Sequence, residues 1–151
     1  MARLAWFDTK GYFDTRAHAA LLDAPSTGLN LEQVLSAHIE WHERFIEVMN
    51  GAKDPDFELI KVYQDNLSFL GKWLHGEANT LFGHLSEYDA ACKAHAAFHG
   101  CAGVALGQHL MGNEEYAQQF LKTTYRSAFN KVKIEFARLF RAARFKPFTV
   151  D

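Results

Sequence analysis

Apolar residues recur along most of the chain at alternating steps of three and four positions, the spacing that places them on one face of an α-helix. Four such stretches follow residue 30, and none shows the strict apolar–polar alternation of a half-buried strand. The pattern therefore predicts an all-α fold, an antiparallel four-helix bundle with short connections. Residues 1–29, with breakers at Pro25 and Gly28, are predicted to form a lead-in segment before a bundle domain of residues 30–151.

Capping residues and helix breakers predict where the four helices begin and end. The first begins at Asn30, which forms a capping box with Gln33, and ends at Asn50-Gly51. The remaining three are predicted to be unbroken, with these limits: Asp54-Pro55 to His75-Gly76, Ser86 to Gly112-Asn113, and Asn113 to a point before Pro147.

Four histidines occupy apolar seams, two on the first helix and two on the third: His38, His42, His95 and His99. Each pair is spaced by four residues, so both imidazoles of a pair lie on one helix face. A buried polar group without a partner costs about 1–3 kcal/mol, which makes a cluster of imidazoles expensive unless their nitrogens are satisfied. A metal ion that accepts their lone pairs would satisfy them. A hydrogen-bonded polar core is the alternative.

The identity of the metal is narrowed by motifs that the sequence lacks. It has neither the Glu-x-x-His pairs of di-iron bundles nor a His-Glu-x-x-His protease motif, and few acidic residues fall on the seams. A mononuclear, nitrogen-rich zinc site fits best. An all-His metalloprotein, either a metalloenzyme or an oxygen- or iron-handling bundle, is the alternative. Glu40 and Glu43 fall off the helix face of His38, so no general base is evident and we expect no enzymatic activity.

Charge and cysteine usage indicate a cytoplasmic protein without nucleic-acid partners. The net charge is −2, yet residues 122–151 carry eight basic and two acidic side chains, a net +6 spread along an amphipathic helix. This spread is typical of a solvated helix face. No apolar run approaches the length of a membrane span, and the amino terminus lacks the features of a signal peptide. Cys92 and Cys101 lie about 13 Å apart along one predicted helix, too far to form a disulfide.

Three segments together carry a resemblance to a known family. They are His38-Ile39-Glu40-Trp41, Ser68-Phe69-Leu70-Gly71-Lys72-Trp73 and His95-Ala96-Ala97-Phe98-His99. In order and spacing they are similar to the His-x-x-Trp, Cys-x-Leu-Gly-x-Trp and His-x-x-x-His motifs of the chemoreceptor zinc-binding (CZB) family. The resemblance covers about residues 30–111. It implies a cytoplasmic, usually dimeric four-helix bundle that binds Zn²⁺ and regulates signalling, with a chemoreceptor or a diguanylate cyclase as its partner.

The same resemblance implies a zinc site made by His38, His95 and His99, with a fourth ligand at position 68. The family has Cys there and this chain has Ser68, a much poorer zinc ligand, so zinc affinity should be lower and thiolate-based oxidant sensing absent. Three candidates could fill the fourth position: water held by Ser68 or Ser68 itself, then His42, and least of all Cys92. Trp41 and Trp73 are expected to serve packing, and Gly71 the close approach of neighbouring backbone.

Overall fold

A computed structural model describes residues 29–145, and within that range it is helical and contains no strand. The elements are α1 (Leu31–Met49), a 3₁₀ turn (Pro55–Phe57), α2 (Leu59–Val62), α3 (Phe69–His75), α4 (Glu77–Phe82), α5 (Ser86–Leu110), α6 (Glu114–Phe120), a π turn (Leu121–Tyr125) and α7 (Arg126–Phe145). The all-α prediction is confirmed for this range. Residues 1–28 of the predicted lead-in segment, and the predicted stop before Pro147, lie outside the described residues. Between residues 29 and 145, no helix is both long enough and apolar enough to cross a membrane.

The predicted amino-terminal cap of α1 is confirmed. The Asn30 side chain accepts a hydrogen bond from the backbone N–H of Gln33 at 2.8 Å, and the Gln33 side chain accepts from the Asn30 N–H at 2.9 Å. The helix ends at Asn50, and Gly51 follows with φ +106°, a left-handed conformation that glycine adopts without strain.

The prediction of one unbroken second helix is wrong. It starts as expected, since Asp54 accepts a hydrogen bond from the N–H of Asp56, but α2 ends at Val62 and residues 63–68 form turns. The predicted seam is lost there: the side chains of Ile60, Tyr63 and Leu67 are 70%, 48% and 43% exposed. Asp65, Asn66 and Ser68 favour turns because their short polar side chains bind nearby backbone, and here that preference outweighs the apolar spacing.

Two further details of the helix limits differ from the prediction. The segment 76–85, expected to be a connection, contains the short helix α4. Helix α5 begins at Ser86 as expected, but the capping position is Leu85, and the Ser86 hydroxyl donates to the Glu87 carboxylate instead of capping the helix.

The last helical segment, α6 through α7, contains a π turn that the apolar spacing did not predict. Within this turn, the Thr123 hydroxyl donates a hydrogen bond to the carbonyl of Gln119 at 2.9 Å. Such back-bonding competes with the regular helix bond and commonly distorts a helix. The extra residue of the π turn changes which side chains of α7 face α1 and α5, and it ends at Tyr125, a fully buried residue.

An aromatic core joins α1, α5 and α7. Its largest fully buried side chains include Phe45 from α1, Phe98 from α5, and Tyr125, Phe129 and Phe136 from the last helix. Helices α5 and α7 share the most extensive contact, while α1 packs on α7 and on α3. The buried histidines of α1 and α5 therefore lie within this core, beside aromatic rings.

Candidate metal site

The structure places three of the predicted ligands along one cavity. His38 extends from α1, and His95 and His99 from successive turns of α5; each is at most 2% exposed. Together with Ser68 they line a cavity of about 490 Å³. These four positions come from three separate helical segments and border the same cavity, and the assignment of a metal site to them stays a prediction.

Two of the three imidazoles are oriented by backbone carbonyls. His38 Nε2 lies 3.1 Å from the carbonyl oxygen of Phe129, and His99 Nδ1 lies 3.0 Å from that of Val62. A carbonyl only accepts, so each of these nitrogens carries the proton and donates it. In a neutral imidazole the other nitrogen then holds a lone pair. Metal-binding histidines are usually held this way, with one N–H bonded to a carbonyl or carboxylate.

His95 is the third imidazole and has a buried nitrogen with no partner. Its Nδ1 is one of three buried side-chain atoms in residues 29–145 that lack a hydrogen bond, with Trp73 Nε1 and Glu77 Oε2. The ring of His95 meets that of His99 at 4.6 Å between centroids and at 72°. Two imidazoles on one tetrahedral zinc ion would have centroids about 5 Å apart, given zinc–nitrogen bonds of about 2.0–2.1 Å. This pair therefore lies close to the spacing that a shared metal requires.

The three imidazoles are not close enough together to bind one metal ion. Within the described residues, no three His, Cys, Asp or Glu side chains lie close enough together to hold one ion as they stand. His38 is not in ring contact with His95 or His99; it meets Phe98 edge-on at 4.7 Å and stacks on Phe129 at 4.6 Å. The arrangement is a contacting pair on α5 with a third imidazole, from α1, that lines the same cavity.

Burial keeps these imidazoles neutral. Desolvation lowers the pKa of His38 to about 3, although its hydrogen bond to the carbonyl of Phe129 opposes the shift; repulsion by the charge of Lys133, and by His99 whenever that ring is protonated, adds to it. Desolvation also lowers the pKa of His95 well below its usual value, and lowers that of His99. Only the neutral imidazole can bind a metal, and the lowered pKa values keep all three imidazoles in that form at neutral pH.

His42 and Cys92, the other candidates for the fourth position, do not line the cavity. The Nδ1 of His42 is 2.7 Å from the Tyr125 hydroxyl, and burial lowers the pKa of His42 to about 2. Cys92 is half-buried on α5, where burial raises the pKa of its thiol. Neither residue is brought to the contacting histidine pair, so Ser68 is the fourth-position candidate that the fold places in the cavity.

Ser68 itself has a local structural task. Its hydroxyl oxygen caps α3 by accepting a hydrogen bond from the N–H of Gly71 at 3.0 Å. The need for glycine at position 71 is also explained: a Cβ there would lie 1.9 Å from the backbone oxygen of Asp65. The expected close approach is confirmed, but it comes from the preceding turn of the same segment.

The two motif tryptophans serve packing, as expected. Trp41 meets the His99 ring edge-on at 4.7 Å and stacks on Phe45 at 5.4 Å, so it supports a candidate ligand. Trp73 stacks on Phe140 at 6.2 Å, on the side of α3 that faces α7.

The sequence interpretation missed the groups that orient the imidazoles. Two are the backbone carbonyls of Val62 and Phe129. Every residue has a backbone carbonyl, so the pattern of side chains cannot predict which carbonyls will accept these hydrogen bonds. The third is the Tyr125 hydroxyl opposite His42. A hydroxyl on the apolar seam of the last helix was the available signal for it.

Comparison with protein-family models, with curated proteins and with solved structures finds no match in any of the three. The likeness to the CZB family therefore rests on the three sequence motifs alone.

Proposed function

We propose that this chain is a zinc-binding sensory or regulatory module of the CZB type, built as a four-helix bundle. One observation carries the proposal: His38, His95 and His99, separated by 57 to 61 residues between the two helices, line one cavity as buried neutral imidazoles. Burial of a polar atom without a partner is costly, and the buried Nδ1 of His95 has none.

The donor set fits Zn²⁺. Neutral imidazole is among its preferred ligands, the bonds of His38 and His99 to carbonyls leave one nitrogen of each available, and His95 has an unpartnered Nδ1. When bound, the ion would link α1 to α5 and supply Lewis acidity at its open position. Ser68, or water held by it, would complete the set.

A regulatory role follows from this arrangement together with the family resemblance. Metal binding would draw His38 toward the histidine pair, and His38 is bonded to the backbone of α7 through Phe129. Occupancy of the site would thereby change the relation between α1, α5 and α7. We further propose that the module is cytoplasmic and homodimeric, and that it acts on a chemoreceptor or diguanylate cyclase partner.

Metal analysis of the purified protein tests this function. The expected result is close to one zinc per chain, lost in His95→Gln and retained in the control His84→Gln, which removes an exposed histidine outside the cavity. Stoichiometric iron with visible absorbance would instead support the all-His alternative, and no metal at all would exclude both.

The second candidate function is a metal-free interaction module in which the histidines form a polar core. The observation that favours it is the absence, within residues 29–145, of three potential ligands already close together. The two candidates differ in their response to a chelator. A ligand at 100 times its Kd stabilises a protein by about 2.7 kcal/mol, so removing zinc should lower the melting temperature, whereas a polar core predicts no change.

A further inference from the structure

The cavity beside the three histidines is larger than a metal ion requires. Its volume of about 490 Å³ lies within the range of about 300–1,000 Å³ that small-molecule sites occupy. Apolar side chains form part of its wall, among them Trp41, Leu67, Phe69 and Phe98. Leu67 and Phe69 are 43% and 38% exposed, so the cavity reaches the surface at the turn that precedes α3.

The described side chains do not complete a four-ligand site at this cavity. The Ser68 oxygen already accepts the hydrogen bond that caps α3, and neither cysteine lines the cavity. Zinc in a site with three protein ligands takes its fourth from solvent or from a bound molecule. The fourth position of a zinc ion held by His38, His95 and His99 would therefore be open to a molecule in the cavity that these residues line.

The charge of the cavity favours an anion at that position. Three cationic side chains line it (Arg44, Lys61 and Lys72) against two carboxylates (Glu40 and Asp56), a net charge of +1 before any metal ion is counted. Arg44 is paired with Asp54 and Asp56. Lys72, in contrast, forms no ion pair with any residue between 29 and 145, so its charge is available to a ligand.

We infer that the cavity admits a small monovalent anion from solution, which binds the metal held by His38, His95 and His99 and is attracted by Lys72. This inference rests on the proposed zinc site. It gives the module a second input, because its response to metal then depends on which small anions are present. The anion neutralises part of the ion's charge, which three neutral imidazoles leave intact.

Cobalt(II) is the probe for this coordination, since its visible spectrum changes with the number and type of its ligands. The protein is loaded with Co²⁺ and titrated with azide, with perchlorate at equal concentration as a non-coordinating control. The expected result is a saturable change of the visible bands with azide alone. Azide without effect on a Co²⁺-loaded protein would overturn this inference and leave the metal site standing. Failure to bind Co²⁺ or Zn²⁺ would overturn both.

Two variants and one control variant test where the anion binds. Lys72→Gln should weaken azide binding about two- to five-fold, the effect of one exposed charge, while Lys53→Gln, outside the cavity, should leave it unchanged. Ser68→Cys places a thiolate donor at the fourth position and should abolish the azide response while Co²⁺ stays bound. Equal azide affinities in all variants would show that the anion binds elsewhere and would contradict the inference.

Discussion

Acidification should unfold the metal-free protein well before its carboxylates titrate. His38 and His42 have pKa values lowered by burial to about 3 and about 2, and that of His95 is lowered well below the ordinary value of 6.5. In the unfolded chain these imidazoles regain that ordinary value. Because their pKa is lower in the folded state, the unfolded state binds more protons as the pH falls below about 6.5. The stability is therefore complete above pH 6.5 and is lost progressively toward pH 3.

The size of the effect can be worked out at pH 5.5. One unit below 6.5, an imidazole that is protonated only in the unfolded state lowers the free energy of unfolding by about 1.4 kcal/mol. His38, His42 and His95 together then remove about 4 kcal/mol, and His99, whose pKa is also lowered, adds to this loss. A typical domain is stable by only about 5–15 kcal/mol, so this loss should be evident.

Urea denaturation followed by far-ultraviolet circular dichroism, with a chelator present, measures this loss at pH 7.5 and pH 5.5. His42→Gln should reduce the difference between the two pH values by about 1.4 kcal/mol, and the exposed control His84→Gln should leave it unchanged. Equal stability at both pH values would refute the reasoning, because it would mean that the histidines titrate normally in the folded state.

Three further predictions follow from close contacts and from the donor set. Gly103→Ala should destabilise the fold by about 1–2 kcal/mol, since the new Cβ would lie 2.3–2.5 Å from atoms of the Tyr63 ring, whereas Gly100→Ala, with nothing within 4 Å, should stabilise it by about 0.5–1 kcal/mol. Tyr125→Phe should cost about 1–3 kcal/mol, because it removes the hydroxyl 2.7 Å from a buried imidazole. Ser68→Cys should raise zinc affinity by more than about tenfold, because a thiolate is a far better zinc ligand than a hydroxyl.

Each of these predictions has a result that would contradict it. If thermal denaturation finds Gly103→Ala as stable as Gly100→Ala, the turn after α2 does not pack on α5. A neutral Tyr125→Phe would mean that the imidazole finds another partner in the core. Zinc titration with a competing chromophoric chelator measures the zinc affinity of Ser68→Cys. An unchanged affinity would show that position 68 does not reach the metal.

Much of the helical framework could be predicted because it depends on local spacing. The seam of α1 and its capping box involve residues within a few positions of each other, so sequence neighbours decide them. The broken second helix shows that apolar spacing alone does not always predict a helix correctly. Its apolar spacing and the turn preference of Asp65, Asn66 and Ser68 pointed to different structures, and the turn preference prevailed.

The sequence by itself determined that His95 and His99 share a helix face, because their spacing of four residues requires it in any α-helix. It also determined that His38 lies on an apolar seam. Only the tertiary structure decided that His38 reaches the same cavity and that the backbone carbonyls of Val62 and Phe129 orient two of the rings. Those contacts join residues far apart in the chain, and they depend on how helices pack and on a π turn that changes the register of the last one. The spacing of residues along a helix determines which side chains share one face of that helix. Which residues of different helices come into contact depends on the packing of the whole core.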